Sequence, residues 1–334
     1  MGDIRKILVI RFSSIGDVVL TSPVLRRLHA AYPGAAIDYC VKPEFFSLLN
    51  TSPYLDTVYT IADPPRGSYD MVVDLQNNLR SRSLVKAIPC DRVFRYQKQN
   101  WKKLLLVRAG INLFKTTGSV VDRYMAALEG TRIEHDGKGC ELWLSKDDSE
   151  FAASCRFGGM SSLAVCFGAK HLTKRYPPRK FASIIETLLR EHRLCVYLLG
   201  GSDDTLQAEE ILETLSPAAA AGVVNLVGKT SLMQSAAVLE ICDAVLTNDT
   251  GLMHIASAFG KHLFVLFGSS VAEFGFLPYN TPYVLFEVAD LACRPCSHIG
   301  RDSCPKGHFR CMMDIPEQLV AKKITDYFKT IKQD

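Results

Sequence analysis

No stretch of this sequence is apolar over the roughly 18–20 residues that a membrane-spanning helix requires, so none is expected. The opening, Met1 to Arg11, is a short β-like run without the apolar region and small-residue cleavage site of a secretory leader. A soluble, cytosolic protein is therefore the expectation. The cysteines number eleven, an odd count, and without a leader they read as reduced thiols rather than a disulfide framework. No Gly-x-Gly-x-x-Gly follows the first strand of either half, which disfavours a nicotinamide-dependent oxidoreductase. No nucleic-acid-binding motif accompanies the basic residues, so nucleic acid is not an expected partner.

What is present is ordinary globular material: 334 residues, 48% hydrophobic and 22% charged, with a mean hydropathy of +0.08. That length predicts two domains, each with its own core. The net charge of +4 is unevenly placed: residues 1–150 hold 21 basic against 17 acidic side chains, and the remainder 18 of each. Between 79 and 123 there are eleven basic residues, from Arg80 to Arg123, against Asp91 and Asp122 alone. This is either a solvated helix face or a surface that attracts polyanions, such as anionic lipid or a phosphorylated acceptor.

Short apolar runs alternate with helical patterns, the signature of parallel α/β units. Strands are predicted at Lys6–Phe12, Ala36–Val41, Thr57–Ile61, Met71–Leu75 and Arg92–Tyr96. Val18–Ala31 predicts a helix, and Trp101–Phe114 a second one with Lys102, Lys103 and Arg108 on its polar face. The alternation restarts at Leu163–Gly168, Cys195–Gly201, Val223–Gly228, Ala244–Asn248 and Leu263–Gly268. Helices are predicted between them at about Pro178–Glu191, Asp204–Leu215, Ser231–Ile241 and Gly251–Phe259, and Pro316–Lys332 predicts a last one. The polar stretch Lys146–Ser162 is the expected seam. Two doubly wound halves then face a central cleft, where open parallel sheets bind ligands beyond the carboxyl ends of their strands.

The first strand runs into Ser13-Ser14-Ile15-Gly16-Asp17. Asp17 either caps the following helix or faces the cleft as a general base, and position alone leaves both open. In the second half, Asn248-Asp249-Thr250-Gly251-Leu252-Met253-His254 joins a strand to a helix whose N-terminus suits a diphosphate. Lys174-Arg175-Tyr176-Pro177 brings a cation to the same end of the sheet, and Asp203 after Gly200-Gly201 is placed to hold a ribose hydroxyl. Cys293, Cys296, Cys304 and Cys311, with His298 and His308 nearby, admit a structural zinc site, although the second pair lacks the tight spacing of a zinc knuckle.

Taken in order, Arg11-Phe12-Ser13-Ser14-Ile15-Gly16-Asp17 through Pro23, Lys174-Arg175-Tyr176-Pro177, Asn248 through Ala256, Leu266-Phe267-Gly268 and the Cys293–Met312 tail resemble the glycosyltransferase family 9 heptosyltransferases, the tail resembling the heptosyltransferase II branch. The resemblance implies an α/β GT-B fold: an acceptor-binding Rossmann-like domain at 1–155, a nucleotide-sugar-binding one at 156–315 and a C-terminal helix at 316–334. It implies an inverting, metal-independent transfer from ADP-L-glycero-D-manno-heptose to the inner core of lipopolysaccharide, the second heptose first among the alternatives. First or third heptose, another sugar, or a non-catalytic nucleotide- or zinc-binding protein are the others.

By resemblance Asp17 is the base and Lys174 steadies the diphosphate. Thr173, Asp203, Thr230, Asp249, Thr250, Gly251 and His254 join Lys174 around the donor, with Thr230 at the adenine. Ser13, Ser14, Gly16 and Arg80 are assigned to the acceptor side. The expected partners are ADP-heptose, a lipid A–Kdo/heptose acceptor and the anionic cytoplasmic face of a Gram-negative inner membrane. No cofactor is expected beyond a possible structural zinc. The loop Gly168–Thr173 departs from the hydroxyl-rich phosphate loop of some relatives, since only Thr173 supplies a hydroxyl there, and Tyr176 stands where many carry Trp.

Overall fold

The computed structural model describes residues 4–114 and 118–331. Lys115, one of the basic residues counted above, and Lys332, the end of the last predicted helix, lie outside them.

The first half is built on five parallel strands, β1 (Lys6–Ile10), β2 (Ala36–Val41), β3 (Thr57–Thr60), β4 (Tyr69–Asp74) and β5 (Cys90–Arg95), in the order β3-β2-β1-β4-β5. The second uses six, β6 (Ser161–Cys166), β7 (Leu194–Leu198), β8 (Val223–Asn225), β9 (Ala244–Asn248), β10 (His262–Phe267) and β11 (Tyr283–Glu287), in the order β11-β10-β9-β6-β7-β8. All pairings are parallel, and the central strands are buried on both faces, which is why they read as unbroken apolar runs. Each order reverses once, at β1 in the first sheet and between β6 and β9 in the second. Those switch points are where parallel sheets open a crevice.

Ten of the eleven strands coincide with predicted runs. The exception, β11, is an edge strand whose apolar run Tyr283–Phe286 is as clear as those of the edge strands β3, β5 and β8, and the sequence reading passed it over. The helix predicted over Val18–Ala31 is two helices, Ile15–Val19 and Ser22–Ala31. Pro23 has no N–H for the Val19 carbonyl, and the hydroxyls of Thr21 and Ser22 donate to Val18 O and Val19 O instead, at 2.7 and 2.8 Å. The helix expected to reach Phe114 ends at Ala109, because Gly110 takes a left-handed φ of 67°.

The polar seam is partly a helix, Lys146–Ser154, started by Ser145 accepting from the Asp148 amide at 3.1 Å. Its charged run is the exposed face, while Ala152 is buried in the core. The C-terminal helix, Glu317–Thr330, belongs to the core of the second half: Val320, Ile324 and Phe328 pack with Phe181, Ile184 and Leu188 of the helix Pro178–Glu191. Lys180 ties it down through Glu317 at 2.9 Å. Among the described residues no helix is long and apolar enough to cross a membrane.

Candidate active site

The two switch points meet. The helix Ile15–Val19 leaves the carboxyl end of β1 and packs against the helix Gly251–Ala258 that leaves β9. Two glycines allow this approach. A Cβ on Gly16 would sit 2.3 Å from His254 Cδ2, and one on Gly251 would sit 2.7 Å from Ile15 Cβ. Both were assigned to ligands by resemblance; in the structure each is where one half touches the other.

Asp17 is held by three groups. Arg11 Nη2 lies 2.6 Å from Oδ1, and the Tyr124 hydroxyl reaches the same oxygen at 3.4 Å. The Ser14 amide and hydroxyl donate to Oδ2 at 3.2 and 3.0 Å. Burial alone would raise this carboxyl, but the Arg11 charge and the Ser14 hydrogen bonds outweigh it, and Asp17 sits below the usual carboxylate range. Arg11 is itself fixed by donating to the carbonyls of Ser13 and Leu75, at 2.9 and 2.8 Å. Asp17 thus closes the first turn of its helix, one of the two roles the sequence left open, and does so as an ionised carboxylate.

Opposite, Lys174 Nζ lies 2.6 Å from Asp249 Oδ2, which also accepts from Ser270 Oγ at 2.8 Å. Asp249 is buried and serves as the anchor of Lys174. Between the two carboxylates lies His254, buried, with Nδ1 unpartnered among the described residues. Burial lowers its pKa and the repulsion of Lys174 adds to this; Asp249 and Asp17 pull the other way without restoring the ordinary value. The imidazole is neutral at physiological pH.

A cleft of about 470 Å³ opens beside these groups, over the carboxyl ends of β6 and β7. Asp203, Thr230 and Thr250 line it, as do Lys170, Arg175 and Asp204. Thr250 caps the helix Gly251–Ala258 without a side-chain hydrogen bond to it. Thr230 shares a 2.7 Å hydrogen bond with Ser235. Thr173 is buried, and its hydroxyl accepts from Ser269 Oγ and the Arg301 amide at 3.0 and 2.8 Å, so it secures neighbouring loops. Arg80 is exposed at the start of the helix Leu79–Ala87, and Ser13 contributes its carbonyl to Arg11.

The sequence profile of glycosyltransferase family 9 (heptosyltransferase) matches residues 65–305. The chain belongs to glycosyltransferase family 9. Among its relatives, lipopolysaccharide heptosyltransferase 2 of Escherichia coli K12 is 26% identical over an alignment covering 96% of this chain and 97% of that one. A family 9 glycosyl transferase from Veillonella parvula superposes with a TM-score of 0.80 at 22% identity, covering 96% of each chain. E. coli ADP-heptose lipopolysaccharide heptosyltransferase II gives 0.75 at 22% identity, covering 98% of this chain and 99% of that one. The GT-B architecture expected from the motifs is therefore the fold observed, and this family 9 chain is a glycosyltransferase.

The residues of this family 9 site that sequence reading passed over are partners rather than principals. Arg11 was quoted within a motif, but its pairing with Asp17 was not foreseen; nor was Ser270 with Asp249. Asp204, next to the assigned Asp203, is the carboxylate that fills the space left by Gly168 and Gly200, where a Cβ would lie 2.2 and 2.9 Å from its Oδ2. Among the described residues no three His, Cys, Asp or Glu side chains, the four clustered cysteines included, are grouped closely enough to hold a metal ion. Cys293 Sγ contacts His308 Nε2 at 3.8 Å, and burial holds the Cys311 thiol up at about 11.

Proposed function

We propose that this glycosyltransferase moves a heptosyl group from ADP-L-glycero-D-manno-heptose to the inner core of lipopolysaccharide, adding the second heptose, by a single inverting displacement. The observation that carries the reading is the ionised Asp17 carboxylate, locked by Arg11 at one switch point, with His254 within electrostatic reach of both it and the Lys174–Asp249 pair of the other half. An acceptor hydroxyl replaces the exposed Ser14 hydroxyl at Oδ2. Its oxygen attacks the anomeric carbon while Asp17 takes its proton; the bond from that carbon to the phosphate oxygen breaks, and ADP leaves with the electron pair. Lys174, held by Asp249, and the amides at the start of the helix Gly251–Ala258 meet the charge that develops on the leaving diphosphate. Asp203 and Thr230 hold the nucleoside in the cleft. Neutral His254 adds no charge and can donate or accept toward the sugar or phosphate.

We further propose that the protein works at the cytoplasmic face of the inner membrane. Trp101, Leu104, Ile111 and Leu113 are 58, 49, 49 and 40% exposed, interleaved with Lys102 and Arg108. That composition suits an anionic interface. The reading is tested by following ADP release with ADP-heptose as donor, in the presence of EDTA. Release is expected with mono-heptosylated Kdo-lipid A and not with Kdo-lipid A itself. Release with unheptosylated acceptor instead assigns the first heptose.

A further inference from the structure

The loop that follows β11 carries Arg294 between Cys293 and Cys296, far in sequence from Lys174. The Arg294 side chain is 4% exposed, and its guanidinium ties the turn that leaves β10 to the end of β11. Nε donates to Gly268 O, and Nη2 donates to Ser270 O at 2.8 Å. Nη1 donates to Val288 O at 2.8 Å, while Nη2 also pairs with the Glu287 carboxylate. A planar fork with five N–H donors can span these acceptors; an ammonium, a compact point charge on a flexible stem, cannot hold them all at once.

The turn held in this way anchors the donor lysine. Ser270 Oγ donates to Asp249 Oδ2 at 2.8 Å, and Lys174 Nζ meets the same oxygen at 2.6 Å. The Ser269 amide donates to Thr173 O at 3.2 Å, one residue before Lys174. The Arg294 loop also reaches that segment directly: the Thr173 amide donates to Arg301 O at 3.1 Å, and the Arg301 amide to Thr173 Oγ1 at 2.8 Å. A glycine is required where the turn and the segment meet, since a Cβ on Gly268 would lie 2.7 Å from Thr173 O. Neither Arg294 nor Ser270 lines the cleft itself.

We propose that Arg294 is a positioning residue for donor binding: by fixing the Gly268–Ser270 turn it holds Asp249, and through Asp249 it sets where the Lys174 ammonium meets the diphosphate. The proposal rests on the reading of Lys174 as the diphosphate cation. It gives the cysteine-bearing loop a part in the reaction as the brace of the donor end. A charge-neutralising role toward Glu287 would be met equally by lysine, whereas this role needs the fork.

The test is calorimetric titration with ADP of four proteins: the wild type, Arg294→Lys, Lys174→Met and the double variant. Arg294→Lys keeps the charge beside Glu287, so it should retain one ADP site per chain while its affinity falls by between about tenfold and a hundredfold, the scale of a small misplacement. In the Lys174→Met background the same replacement should change affinity by less than about twofold, because both substitutions act at one point. Wild-type affinity in Arg294→Lys overturns the proposal, as does an equal loss in both backgrounds, which would mark a general effect on the fold. A lowered number of sites at unchanged affinity overturns it too, because that reports unfolded protein. If Arg294→Lys does not fold, Ser270→Ala cuts the same link at its last step, and unchanged ADP affinity in that variant overturns the proposal. Lys174→Met binding ADP as the wild type does removes the donor-site reading and the brace with it. A weakened Lys174→Met beside an unchanged Arg294→Lys removes the brace alone.

Discussion

Arg11 Nη2 and Asp17 Oδ1 lie 2.6 Å apart at the carboxyl end of β1, and both side chains are largely withdrawn from solvent. A buried carboxylate without a cation would protonate near neutrality; this one stays charged because its partner is fixed before the helix begins. Asp17→Asn should therefore reduce turnover by about two to four orders of magnitude, the usual contribution of a positioned base. ADP affinity should be unchanged, as calorimetry would record. Ser14→Ala should retain activity within about threefold, because the backbone amide of Ser14 still holds Oδ2 after loss of a single hydroxyl contact.

The same pair sets a pH dependence. The Asp17 carboxyl lies below its ordinary value, so the ionised base persists as pH falls through about 4 and is lost only further down. Removing the cation in Arg11→Met leaves burial opposed only by the Ser14 hydrogen bonds, and the acid limb of kcat/KM should move upward. A pH profile of that variant identical to the wild type would separate Arg11 from the base.

The contact between the halves rests on the absence of two methyl groups. Gly16→Ala drives a Cβ to within 2.3 Å of the His254 ring. Overpacking of this kind costs about 1–3 kcal/mol, which urea denaturation would register together with loss of turnover. The double variant Gly16→Ala/His254→Ala should recover much of that stability, since the ring is the obstacle, without recovering activity.

Lys174 and Asp249 divide their effects differently. Lys174→Met leaves the Asp249 carboxylate buried without its cation and removes a charge from the diphosphate site. Stability and ADP affinity should both fall, the affinity by about 1.5–3 kcal/mol, the range for a hydrogen bond to a charged group. Lys174→Met/Asp249→Asn should restore stability, by removing the orphaned charge, while ADP binding stays weak. Recovery of both would mean that Lys174 acts on the fold alone.

Most of the scaffold was legible in the sequence because central parallel strands are buried on both faces and must be apolar throughout. β11 carries the apolar run Tyr283–Phe286 and was passed over although the equally solvated edge strands β3, β5 and β8 were read. The motif residues Asp17, Lys174 and Asp249 stand out as charges at strand ends, but which cation meets which carboxylate depends on distant strands lying side by side, and no local pattern encodes that. Lys103 shows the limit most clearly. Periodicity places it with Lys102 on the polar face of its helix, and it is polar; the second half, through Phe274 and Phe276, is what buries it.

The exposed apolar residues around the helix Asn100–Ala109 lead to a separate expectation. The protein should partition onto anionic vesicles with a blue-shifted Trp101 emission, and added salt should release it, each basic residue near the surface contributing on the order of 1 kcal/mol. Trp101→Ala/Leu104→Ala should weaken partitioning while leaving ADP binding intact. Equal partitioning onto neutral vesicles would contradict the electrostatic part of this account.

The most direct test of the central claim is ADP release from ADP-heptose by the wild-type protein and by Asp17→Asn, each with mono-heptosylated Kdo-lipid A and with EDTA present. The account predicts steady release by the wild type and a loss of at least about a hundredfold in the variant at unchanged ADP affinity. Comparable release by both would contradict the assignment of Asp17 as the base.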